Sequence, residues 1–146
     1  MFIKICGITS LADARLVAEV GANAIGLNFY SPSPRSIRIE AALEIVQSIP
    51  PYVDPVGLFV DQSPAEIRDV ARTLSLRTLQ LHGDTSPELV AELREFSVMP
   101  VFSLSSEANI SNILEFVSGC QRLGRLPCAI LLDAYSAEKF GGTGQV

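Results

Sequence analysis

The chain has 146 residues, of which 48% are hydrophobic and 18% charged, and a formal net charge of −5; that is ample apolar material for one core and is neither a disordered composition nor room for a second domain. Its 11 Lys and Arg residues are scattered without a basic run, which argues against a phosphate-backbone binder, so nucleic acid is not an expected partner. No apolar run approaches the roughly 18 residues needed to span a membrane, so no membrane role is expected.

Short apolar runs alternate with helical patterns throughout, the signature of βα units around a parallel sheet. The first strand is predicted over Phe2–Cys6 and runs straight from the start of the chain, without the layout of a secretory signal. Ser10 with Asp13 has the spacing of a capping box, Leu11, Ala14, Val17 and Ala18 give the next helix one apolar face, and Gly21 stops it. Ala24–Tyr30 is the second strand, followed by the stiff loop Ser31-Pro32-Ser33-Pro34-Arg35 and a helix that Pro50-Pro51 ends. Val56–Val60 is the third strand. Ser63 with Glu66 is a second capping box, Pro64 takes a first-turn position, and Ile67, Val70, Ala71 and Leu74 form the apolar stripe. Thr78–His82 is the fourth strand, Pro87 opens the fourth helix, and Val98–Leu104 is the fifth strand. Ile110, Ile113, Leu114 and Val117 mark a fifth helix, and Cys128–Asp133 the last strand. Strand ends recur every 20 to 30 residues or so, about one βα unit, a spacing shared by open doubly wound sheets and closed eightfold barrels.

Side chains alternate faces along a strand, so Lys4 and Cys6 share a side, as do Gln80 and His82, and Leu131 and Asp133. If every strand runs parallel, the early thiol and the late carboxyl meet at one mouth, where α/β enzymes keep their chemistry. A cation beside a thiol favours the thiolate, the form that takes protons; a packed Cys6 with Lys4 reaching solvent is the plainer alternative. Asp133 follows four apolar residues and either solvates at the mouth or stays partly buried, ready to donate a proton. His82, before Gly83-Asp84, fits a turn residue, a proton relay or a substrate donor. Arg35 offers a forked, charge-assisted bond to a carboxylate or phosphate, or is a plain surface arginine. Gly141-Gly142-Thr143-Gly144 has the amides to cradle an anion, or is a flexible tail. Cys6, Cys120 and Cys128 are odd in number, far apart and without metal-ligand spacing, so neither a disulfide framework nor a zinc site is indicated, and a reducing cytoplasm fits best.

Taken together, KICGIT at Lys4–Thr9, SPR at Ser33–Arg35, VGLFV at Val56–Val60, QLHGD at Gln80–Asp84, LLDAY at Leu131–Tyr135 and FGGTG at Phe140–Gly144 resemble the phosphoribosylanthranilate isomerase family, in order and over nearly the whole chain. The resemblance implies a (β/α)8 TIM barrel and an Amadori rearrangement of aldose–ketose type in the tryptophan branch of aromatic amino-acid biosynthesis. It implies no metal and no organic cofactor. By the same resemblance Asp133 is the general acid that protonates the furanose ring oxygen, and Cys6 the general base that removes the C2′ proton. Arg35 resembles the family's ligand for the anthranilate carboxylate, and His82 lines the same mouth. Lys4, Gln80 and Gly142 complete the candidate substrate-binding residues.

An eightfold barrel takes about 200 to 250 residues, so residues 1–146 are read as a single partial (β/α) barrel of six strands and five helices, truncated after FGGTG. The phosphate of such barrels often sits at the loops after strands seven and eight, which are not among the predicted elements. Val101-Phe102-Ser103-Leu104 also lacks the lysine that the resemblance implies in the fifth-strand segment, and weaker substrate affinity is expected. Open edges on the first and sixth strands invite pairing with another chain, so the competing reading is a non-catalytic partial barrel that self-associates or depends on a partner. A relative of indole-glycerol-phosphate synthase is a third reading; Cys6 and Asp133 argue against it, since that chemistry calls for a different lysine and glutamate arrangement.

Overall fold

The computed structural model describes residues 1–104 and 108–134. Its strands are β1 (Lys4–Cys6), β2 (Ala24–Asn28), β3 (Asp54–Val60), β4 (Thr78–His82), β5 (Ser97–Leu104) and β6 (Leu131–Ala134). Between them lie α1 (Leu11–Glu19), α2 (Ile39–Ser48), α3 (Pro64–Thr73), α4 (Pro87–Glu92) and α5 (Ala108–Arg122). Each strand pairs in parallel with the one before it, so the spatial order is the sequence order. A parallel neighbour must be reached by a crossover, and every crossover here carries one helix. The six units form the expected partial (β/α)8 barrel, curled so that β1 and β6 face one interior.

The helix starts follow local chemistry. At α3 the capping box is complete, with Ser63 N donating to Glu66 Oε2 at 2.9 Å and Glu66 N donating to Ser63 Oγ at 3.3 Å. At α1 it is half formed. Ser10 Oγ accepts from Asp13 N at 3.1 Å, but the Asp13 carboxylate takes the Ser10 hydroxyl at 2.7 Å instead of the cap amide; aspartate is one methylene shorter than the glutamate that closes the box. Gly21, at φ +89, ends α1 in the left-handed region that suits glycine.

Predicted boundaries move in every strand but β4, with β3 starting earlier at Asp54 and β5 at Ser97. β2 stops at Asn28 because the Asn28 Oδ1 accepts from Tyr30 N at 2.9 Å and turns the chain out of the ladder. β6 starts at Leu131, three residues after Cys128: the Cys128 amide already bonds the Val98 carbonyl at 2.9 Å, yet the regular register begins at Val101 opposite Leu131. β1 is short, and Phe2 and Ile3 lie ahead of it. On α5 the buried side is Phe116 and Cys120, whereas Ile110 and Leu114 from the predicted stripe are exposed. Ile113 and Val117 of the same stripe are half-buried, Val117 against the core, so periodicity located the packed side only in part because the helix carries apolar residues on more than one face.

The core lies between sheet and helices. Ile25, Leu27, Phe59, Leu79 and Val98 point outward from the strands and meet Ala14, Ala42, Ile45, Ile67, Ala71, Val90 and Leu93 of the helices. Alanines on α1, α2 and α3 let these helices approach closely. Gly57 does the same within β3, where an added Cβ would lie 2.7 Å from Leu76 Cδ1 and 2.8 Å from the Phe59 ring. The Phe59 ring in turn stacks on Phe29 at 5.4 Å between centroids. Phe59→Ala is expected to cost about 3–5 kcal/mol, read as a lowered urea midpoint with an unchanged slope; a loss under about 1 kcal/mol would show that this layer is not the packed core.

Candidate active site

The strand faces that point away from the helices line one interior. Lys4 and Cys6 of β1, Asn28 of β2, Gln80 and His82 of β4, and Leu131 and Asp133 of β6 border a cavity of about 370 Å3, together with Arg35, Ser33 and Tyr30 from the loop after β2. Strand alternation and curvature suffice to bring them together: β1 and β6 stand at the two ends of the strand order, yet Cys6 and Asp133 share this cavity.

Lys4 does not reach out to solvent. Its Nζ donates to Gln80 Oε1 at 2.8 Å, from the first strand across to the fourth, and Gln80 is buried, 6% exposed. Room for this comes from Gly26, where an added Cβ would lie 2.8 Å from Cys6 Sγ and 3.0 Å from Lys4 Nζ. The ammonium and the thiol therefore face the same small patch of wall. Arg35 reaches the end of β1 and donates from Nη1 to the Cys6 carbonyl at 3.2 Å. It lies across Gly7, at φ +82, where a Cβ would come within 2.7 Å of Arg35 Cδ. The loop that delivers it is self-braced, with Arg35 N donating to Ser33 Oγ at 3.2 Å and Ile37 N to the Asn28 carbonyl at 2.9 Å.

Opposite these cations stand carboxylates. Burial pushes the His82 imidazole below its ordinary pKa, and the Asp133 and Asp61 carboxylates oppose that shift. Ser103, where a lysine was expected in the segment, is exposed and sits opposite Asp133 in the β5–β6 register. The mouth thus has a cationic side on β1 and its neighbouring loop, an acidic side at β6, and apolar walls from Leu58, Val60, Met99 and Val101. Such an arrangement suits an anionic, partly aromatic small molecule and offers separate proton-donating and proton-accepting groups.

Of the residues singled out from the sequence, Cys6, Asp133, Arg35, His82, Lys4 and Gln80 all border the cavity; Gly142 lies outside the described residues. Asn28 and Tyr30 were missed, although Asn28 shares its strand face with Ala24 and Gly26, and that alternation was a usable signal. Among the described residues no cluster of three or more His, Cys, Asp or Glu side chains could hold a metal ion, and no helix is long and apolar enough to cross a membrane.

Known proteins of similar sequence and shape agree in kind. A model of the N-(5′-phosphoribosyl)anthranilate (PRA) isomerase family matches residues 3–146. An N-(5′-phosphoribosyl)anthranilate isomerase of Trichlorobacter lovleyi is 41% identical over 144 residues, covering 98% of this chain and 65% of its own. The crystal structure of the phosphoribosyl anthranilate isomerase from Thermotoga maritima superposes with a TM-score of 0.86 at 36% identity, over 99% of this chain and 67% of its own. A further phosphoribosyl anthranilate isomerase, solved in complex with reduced 1-(o-carboxyphenylamino)-1-deoxyribulose 5-phosphate, gives 0.82 at 38% identity over 92% and 66%. The chain spans just under two thirds of the length of the curated relatives it matches.

Two predictions follow from the geometry. Lys4→Met strands the buried Gln80 amide oxygen and is expected to cost about 1–3 kcal/mol, whereas Lys4→Met with Gln80→Leu recovers most of that loss because no polar group is left unpaired; chemical denaturation of both variants checks it. His82, the sole histidine, is expected to titrate below about 6.5 in an imidazole proton NMR series. Since its folded pKa is depressed, its neutral form supports the fold above about pH 6.5, and that contribution is lost as pH falls through the folded value.

Proposed function

Because the chain belongs to the PRA isomerase family, we propose that it catalyses the Amadori rearrangement of N-(5-phosphoribosyl)anthranilate to 1-(2-carboxyphenylamino)-1-deoxyribulose 5-phosphate, a step of tryptophan biosynthesis in the cytoplasm. The observation that carries this reading is that Cys6 of β1 and Asp133 of β6 border one cavity together with Arg35.

In this reading Asp133 gives its proton to the furanose ring oxygen, the C1′–O bond breaks, and the nitrogen lone pair forms an iminium. Cys6 then removes the C2′ proton, and the electron pair of that C–H bond neutralises the iminium to an enolamine, which tautomerises to the ketone. The sugar gains one proton and loses another, so no external oxidant or reductant is required. Lys4, facing the same Gly26 as the thiol, has the sign of charge that a proton-accepting sulfur needs. Arg35, with one N–H on the Cys6 carbonyl, keeps further N–H groups for a bidentate grip on the anthranilate carboxylate. His82 and Gln80 contact the sugar part, and Gly142 contributes backbone to the anion.

A second reading rests on the sheet edges. Among the described residues β1 and β6 each have one unpaired edge, and Phe2 and Leu132 beside them are 72% and 54% exposed. Such edges favour strand pairing with another chain, and a self-associated partial barrel without catalysis would use them. Light scattering after size exclusion separates a monomer from this assembly.

The deciding measurement is turnover of phosphoribosylanthranilate, followed by loss of its fluorescence, with the chain alone and with the remaining βα units of a relative supplied separately. Cys6→Ser and Asp133→Asn are each expected to lower the rate by about 10² to 10⁴. Turnover unaffected by both substitutions, or none in either arrangement, would overturn the isomerase reading.

A further inference from the structure

Directly after β3, Asp61 adopts φ 53, a left-handed conformation that a non-glycine residue takes infrequently, asparagine and aspartate most readily. Strained backbone of this kind persists where the surroundings over-determine it, and here both of its polar ends are engaged. The Asp61 amide donates to the His82 carbonyl at 3.3 Å, and its Oδ1 accepts from the Asp84 amide at 2.8 Å. Between those two anchor points lies Gly83, at φ +94, whose missing side chain is what lets the carboxylate in: a Cβ there would collide with Asp61 Oδ1 and lie 2.6 Å from its Cγ. Asp61 thus extends the β3–β4 ladder by one backbone bond and then seals the following corner with its side chain. One of the two residues it holds is His82, which borders the cavity shared with Asp133.

We propose that Asp61 is a positioning residue: its carboxylate clamps the His82-Gly83-Asp84 corner and so sets how the imidazole is presented to the cavity beside Asp133. Nothing in the acid–base scheme requires Asp61, and it does not border the main cavity; it borders the adjoining hollow with Gln62, Asp84 and Thr85. The kinetic consequence of the clamp rests on the isomerase reading, whereas the clamp itself does not.

The ionisable groups around His82 are Asp61 at the end of β3, Asp84 in its own corner, Asp133 on β6, and Lys4, Cys6, Tyr30 and Arg35 bordering the same cavity. Two substitutions separate their effects from that of the clamp. Asp61→Asn keeps an acceptor oxygen and a residue that tolerates positive φ but removes the charge; Asp61→Ala removes acceptor and charge together. Because the chain has one histidine, a proton NMR titration reports His82 without assignment, and amide exchange at Asp84 reports the corner. In Asp61→Asn the Asp84 amide should stay protected while the imidazole pKa falls, since one opposing carboxylate is gone. In Asp61→Ala the Asp84 amide should exchange roughly tenfold faster, the scale of one lost hydrogen bond. Turnover should drop about tenfold or more with alanine, as expected for a displaced binding group, and be largely restored with asparagine, because His82 is neutral near pH 7 in both. Unchanged Asp84 exchange in the alanine variant would overturn the clamp, and if alanine fails to fold at this positive φ, Asp61→Gly removes the acceptor without that strain and the same unchanged exchange decides. Absence of turnover in the unsubstituted chain would count against the isomerase reading alone, leaving the Asp84 exchange to judge Asp61.

Discussion

Everything at the mouth depends on the two-residue alternation of side chains along the strands, of which β2, β3 and β4 are largely buried on both faces. In a curled parallel sheet the outward face must satisfy the helix layer and the inward face a confined interior, so a strand cannot shift by one residue without exchanging both sets. Ile25 and Leu27 on one side of β2, and Gly26 and Asn28 on the other, are both fixed by the same register. The packing of Phe59 and Leu79 outward therefore also determines that Leu58, Gln80 and His82 point inward. Core and site are two readings of one alternation.

Placing cations in such an interior has a cost that the neighbouring residues offset. Lys4 is half-buried, and its ammonium is met by the Gln80 oxygen; Arg35 is met by a backbone carbonyl. Among the described residues neither is held by a carboxylate in an ion pair of the kind that joins Arg68 to Glu92 and Glu95 on the helical surface. A neutral acceptor satisfies the donor without cancelling its charge, so both cations keep their field for whatever enters the cavity. The surface ion pairs between α3 and α4 are exposed enough that they contribute little beyond local order.

The sequence was most legible where local chemistry and tertiary packing agree. β4 kept its predicted limits because Thr78-Leu79-Gln80-Leu81-His82 alternates cleanly, and α3 was announced by Ser63, Pro64 and Glu66 before any contact was known. Legibility failed where a long-range partner decides. Nothing near Lys4 in sequence indicates that its ammonium finds Gln80, 76 positions away. Likewise the packed side of α5 is chosen by what it meets, Phe102 against Phe116 in an edge contact at 5.1 Å, and not by the apolar count of its faces. The site residues were identified because short motifs carry them; Asn28 lies outside those motifs, and only the alternation along β2 places it on the cavity face.

The thiol and the carboxyl proposed as the acid–base pair stand on the strands with the least ladder to hold them. β1 pairs through three residues and β6 through four, whereas the β2–β3 and β3–β4 ladders each run to five. A chemistry that needs a thiol and a carboxyl at fixed separation therefore cannot rely on backbone pairing at the ends of the sheet. The Lys4–Gln80 bond supplies an alternative, since it joins β1 directly to the interior of the well-paired β4 and bypasses β2 and β3. Arg35 adds a second tie from the loop after β2 to the last carbonyl of β1. Both ties end within two residues of Cys6, so the same side chains that give the cavity its positive charge also hold the thiol in place. Replacing either cation would then disturb position as well as charge, and this is why lysine at position 4 and arginine at position 35 belong to the structure of the mouth as much as to its electrostatics.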